Sequence, residues 1–96
     1  MELTKKQETE YMGFITSAYE INKAESKYVG MHTVWSGFNE AFRIKFPGVN
    51  PVDVTKALVL KGSIRSRGAS GGAVIYMGED GKYESKGGKL LAKIGG

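Results

Sequence analysis

Residues 47–67 read Pro47-Gly-Val-Asn-Pro-Val-Asp-Val-Thr-Lys-Ala-Leu-Val-Leu-Lys-Gly-Ser-Ile-Arg-Ser-Arg67, and this stretch decides the fold. Asn50 marks a helix start. Its side-chain oxygen can accept from the free amides of the first turn, Pro51 suits the first helical position, and Asp53 sets negative charge beside the helix's positive end. Val49 and Val54 have the spacing of a hydrophobic staple. Gly62 marks the stop, with Lys61 in the last turn. Ile64 to Arg67 then alternates as a strand does, with Ile64 and Ser66 on one side and Arg65 and Arg67 on the other. Gly68 to Gly72 supplies a turn, and Ala73 to Met77 reads as the return strand. A capped helix over 51–61 and a glycine-tipped hairpin over about 63–78 are therefore expected.

Upstream, the spacing of apolar residues predicts one long helix over about 4–26. Tyr11, Met12, Phe14, Ile15, Ala18, Tyr19 and Ile21 share half of its cylinder, which is wider than a simple core stripe. Either this helix faces a core on one side and a second subunit on the other, or it is well buried within one chain. Tyr28 to Met31 is a short apolar link able to pair as a small strand. A second helix is expected over about 33–46, capped by Thr33, with Trp35, Phe38, Phe42 and Phe46 on its inner side. Gly37 costs about 1 kcal/mol of helix propensity relative to alanine, which suggests a close helix crossing there. Pro47 and Gly48 end this helix. In the third helix, Val54, Ala57 and Leu58 share a face suited to packing on the second. Val52, Thr55, Lys56 and Val59 lie around the other side, an odd apolar content for a bare surface. Gly78 to Gly81 offers a second turn, so strand 73–77 has a competing partner at about 82–85.

Ninety-six residues suffice for one domain with a single core, assigned to 1–81, followed by a basic Gly- and Lys-rich tail over 82–96. Hydrophobic residues make up 41% and charged residues 25%, as in folded soluble proteins. The chain carries +4, unevenly placed. Residues 43–67 hold six cations against Asp53 alone, whereas residues 1–42 hold four lysines against six acids. Such asymmetry is a common footprint of contact with a phosphate backbone. Cysteine is absent, and one histidine, His32, is present. That inventory argues against thiolate chemistry, a structural zinc site and a serine–histidine nucleophile, so no catalytic residue, metal or cofactor is assigned. His32, lying before a helix, reads as a capping or packing residue. No apolar run follows the amino-terminal lysines and no stretch approaches the length of a membrane span. A cytoplasmic protein without a membrane partner is expected.

The order of elements, with Leu58, Gly62 and Ile64 at their spacing, basic Arg65 and Arg67, the glycine-bearing tip and Tyr76 on the return strand, resembles the winged helix-turn-helix family over residues 33–77. The resemblance implies a mainly α fold with a small antiparallel β-hairpin, three helices plus a wing. It implies double-stranded DNA as partner, with the third helix in the major groove. The implied contact set is Asn50, Val52, Thr55, Lys56 and Val59 on the helix, with Arg65 and Arg67 on the wing. Arg43 joins them as a further phosphate contact. A small transcriptional regulator, homodimeric through its first helix, follows. A winged-helix adaptor docking another protein through Val52, Val59 and Leu60 is the alternative, and an RNA-binding module using the lysine tail is a third.

Overall fold

Thr4 opens the first helix, α1 (Lys5–Glu25). Its hydroxyl accepts from the Gln7 amide while the Gln7 side chain accepts from the Thr4 amide, a reciprocal cap that satisfies two otherwise orphaned donors. A computed structural model describes residues 1–26 and 28–81 together with Leu90, Lys93 and Ile94. The elements after α1 are β1 (Met31–His32), α2 (Phe38–Lys45), α3 (Pro51–Leu60), β2 (Arg65–Ala69) and β3 (Gly72–Tyr76). The result is three helices and a three-stranded antiparallel sheet in the order β1-β3-β2. Residues 82–85 and most of the basic tail lie outside the described residues.

The helices close over one core. Tyr11, Ile15 and Tyr19 of α1 meet Phe38 and Phe42 of α2, Val54 and Leu58 of α3, and Met31, Ile64 and Ile75 from the sheet side. Phe42 is fully buried and lies within 6 Å of the rings of Tyr11, Phe14, Phe38 and Phe46. Only part of the wide α1 face is used: Ile21 is 60% exposed. Lys61, just past α3, reaches Glu8 of α1 at 2.6 Å, and this contact holds the Glu8 carboxyl below its usual range.

The second helix starts later than its aromatic spacing predicts. Thr33 is not its cap; it extends the sheet contact. Its amide donates to the Ala73 carbonyl and its hydroxyl accepts from the Ala73 amide. Residues 33–36 then turn, and α2 begins only after Gly37, whose φ is +83°. A Cβ at Gly37 would meet nothing within 4 Å, so left-handed backbone, and not a close helix crossing, explains that glycine. Val34 and Trp35 consequently fall outside the helix and are exposed, Trp35 by 73%.

Helix α3 matches its sequence signals. The Asn50 Oδ1 accepts from the Val52 amide, and Gly62 and Ser63 donate back to the carbonyls of Val59 and Leu58. Strand β2 runs on to Ala69 opposite Gly72, leaving Ser70 and Gly71 as the hairpin tip. Both edges of β3 are filled, by β2 on one side and by Met31 and His32 on the other.

Candidate nucleic-acid interface

Strand alternation gives the sheet two faces. Met31 and Ile75 point into the core, and Ser66, Gly68 and Ala73 share their side. Together with α3 and the turn before α2, that side forms a groove of about 680 Å³. Val34, Val52, Val59, Leu60 and Ala73 make its lining mainly apolar, and among the described residues Lys56 is its one cationic wall residue. Leu60 is 89% exposed. An α-helix leaves such side chains in water only at a cost in unburied apolar surface, which marks this flank of α3 as an uncovered apolar surface among the described residues.

Four of the eight expected contact residues line the groove: Val52, Thr55, Lys56 and Val59. Thr55 is nonetheless a correction. It is buried, and its hydroxyl donates to the Pro51 carbonyl at 2.7 Å, so it lines the floor and spends its donor on its own helix. Asn50 is exposed at the cap with its oxygen already engaged. Arg43 is exposed in the last turn of α2.

The two hairpin arginines do not extend this surface. Arg65 and Arg67 pair opposite Tyr76 and Val74, on the sheet face turned away from α3. The Arg65 guanidinium donates to the carbonyls of Gly78 and Asp80 at 2.6 and 2.7 Å. Its work is to hold the turn after β3. The Asp80 carboxylate accepts from the Tyr19 hydroxyl at 2.7 Å and pairs with Lys23 at 2.9 Å, which ties the same turn to α1. Lys23 and Tyr19 hold the Asp80 carboxyl below its usual range. Burial, reinforced by Asp80, pushes the Tyr19 phenol up to about 12.

Sequence reasoning missed Asn39, which also borders the groove. It is 8% exposed and its Oδ1 has no hydrogen-bond partner. An unmet acceptor of this kind costs about 1–3 kcal/mol. No pattern in the sequence marks it, because Asn39 sits among the aromatics of α2 as an ordinary polar spacer. Among the described residues, no group of His, Cys, Asp and Glu is placed to hold a metal ion, and no helix is long and apolar enough to cross a membrane. Comparison with protein-family models, with curated proteins and with solved structures finds no match to this chain.

Proposed function

We propose that this chain is a winged-helix protein that binds duplex DNA, with α3 in the major groove and the β2–β3 hairpin beside it as the wing. One observation carries the reading. In the order helix, strand, helix, helix, hairpin, with the sheet ordered β1-β3-β2, α3 keeps Val52, Asp53, Lys56 and Leu60 uncovered on a flank next to the hairpin. A helix with its side chains is about 10–12 Å across and the major groove is about 12 Å wide, so such a flank fits there without rearrangement. Val52 and Val59 then meet thymine methyl groups, while Lys56 and Arg43 meet phosphates.

This contact set is leaner than the sequence suggests, and the difference is measurable. Each phosphate contact contributes about −0.9 to the slope of log K against log salt. Two contacts, Lys56 and Arg43, give a loss of about tenfold between about 50 and 200 mM salt. Four contacts, with Arg65 and Arg67 added, give a loss above about a hundredfold over the same range. Fluorescence anisotropy of a labelled duplex across that range reads the slope directly. Binding that disappears in Lys56→Ala and follows the shallow slope supports the proposal. No binding at low salt ends it.

A second reading is favoured by the groove's apolar lining and by the placement of both hairpin arginines on the other sheet face. In it, the flank of α3 docks an apolar segment of another protein, and Val52, Val59 and Leu60 carry the contact. The same titration separates the two, since that function is indifferent to duplex DNA.

A further inference from the structure

The groove beside α3 has a polar floor beneath its apolar rim. Among the described residues, Thr33, Asn39 and Thr55 are the buried polar side chains, and all three border this groove. Two of them are occupied within the fold. The Thr33 hydroxyl accepts from the Ala73 amide, and the Thr55 hydroxyl donates to the Pro51 carbonyl. Asn39 is held in place, because its backbone amide donates to the Thr33 carbonyl at 2.8 Å. Its side-chain Oδ1 is nonetheless buried without a hydrogen-bond partner. A buried acceptor in that state is costly unless something else supplies the donor.

The sheet side of the groove shows a second anomaly. Gly68 lies within β2 opposite Ala73, and its φ is not positive. A Cβ there would meet nothing within 4 Å. Neither backbone conformation nor packing therefore calls for glycine at a strand position that glycine weakens. What the missing side chain does is keep the space between the hairpin and α3 open.

We propose that this groove binds a small, uncharged, mainly apolar molecule that donates one N–H or O–H to the Asn39 Oδ1. The groove's volume of about 680 Å³ lies within the roughly 300–1,000 Å³ usual for small-molecule sites. Such sites pair an apolar lining with a few placed polar groups, as Val34, Val59 and Ala73 do here with Asn39. An apolar body gains by leaving water against that lining, whereas a charged one loses hydration that the lining does not replace. The ligand would lie against Val52 and Val59, so on the duplex reading it competes with DNA; the inference rests on that reading for this competition alone.

Residue-resolved NMR of the full chain, without DNA, tests the site through two probes. Indole is apolar with a single N–H donor, and benzofuran has the same shape without the donor. Indole is expected to give saturable shifts at Thr33, Asn39, Thr55 and Val59, and to bind at least about tenfold more tightly than benzofuran. That preference should disappear in Asn39→Ala. Gly68→Val puts a good strand former into the open space, so circular dichroism should remain that of the folded chain while indole binding weakens by about tenfold or more. Shifts that do not saturate, benzofuran binding as tightly as indole, a preference that survives Asn39→Ala, or indole binding unchanged in Gly68→Val overturns the proposal. Because no duplex is present, none of these outcomes bears on whether α3 binds DNA.

Discussion

Replacing Asp80 with alanine should destabilise the fold by about 2 kcal/mol, although Asp80 lies in a turn beyond the last described strand. The Tyr19 hydroxyl is a buried donor aimed at this carboxylate at 2.7 Å. A hydrogen bond to a charged group contributes about 1.5–3 kcal/mol. The Asp80 side chain is 24% exposed, which argues for the lower half of that range. Lys23 is itself exposed, and its ion pair adds little. For a chain of 96 residues the entropy of unfolding is about 0.2 kcal/mol/K, so the melting temperature should fall by about 10 °C. Thermal melts followed by circular dichroism measure this at neutral pH. Asp80 is held below its ordinary range in the folded state. Its contribution is therefore present above the unfolded carboxyl value of about 3.9 and is lost as pH falls through the folded value. The parent and Asp80→Ala should accordingly converge in acid. A double-mutant cycle with Tyr19→Phe should recover a coupling of about 1.5 kcal/mol. A shift under about 2 °C at neutral pH, or a gap that persists unchanged into acid, refutes the clamp.

Other expectations follow from the same geometry. Gly30 has φ +94°, and a Cβ there would lie 2.6 Å from the Val74 Cγ1, so Gly30→Ala should cost about 2–3 kcal/mol in a denaturant titration. Phe42→Ala removes the ring that four other aromatics touch and should cost about 3–5 kcal/mol, enough to leave much of the chain unfolded at 37 °C. Tyr19 should ionise near pH 12 in an ultraviolet titration, and stability should decline as pH rises from about 10 through that value. If α1 pairs two chains, Ile21→Glu on its uncovered side should convert a dimer to a monomer in sedimentation equilibrium while circular dichroism remains that of the folded chain.

The parts of the fold that local chemistry dictates were legible in the sequence. Asn50 and Pro51 set the start of α3 and Gly62 its end, and the hairpin follows from alternation around a glycine tip. The second helix misled because Trp35, Phe38, Phe42 and Phe46 keep helical spacing across a residue that is not helical. Only the left-handed backbone at Gly37 breaks the series, and composition does not distinguish that role from a tolerated helical glycine. Thr55 looked exposed because helical geometry fixes its direction relative to Val54, not what covers it. The hairpin arginines are a different case. Their alternation against Ile64 and Ser66 was readable, and Ile64 is a core residue. Given a core on that side, Arg65 and Arg67 had to face away from α3. The clamp of Tyr19, Lys23 and Asp80 joins residues about sixty positions apart, and no local pattern encodes it.

The flank of α3 as the DNA-contacting surface is tested most directly by residue-resolved NMR of the full chain titrated with a short duplex. The account predicts that amide shifts concentrate at Val52, Asp53, Lys56 and the hairpin tip at Ser70 and Gly71, leaving Arg65 and the turn at Gly78 to Asp80 unmoved. Shifts confined to the outer sheet face around Trp35 and Arg67, or none along α3, would contradict it.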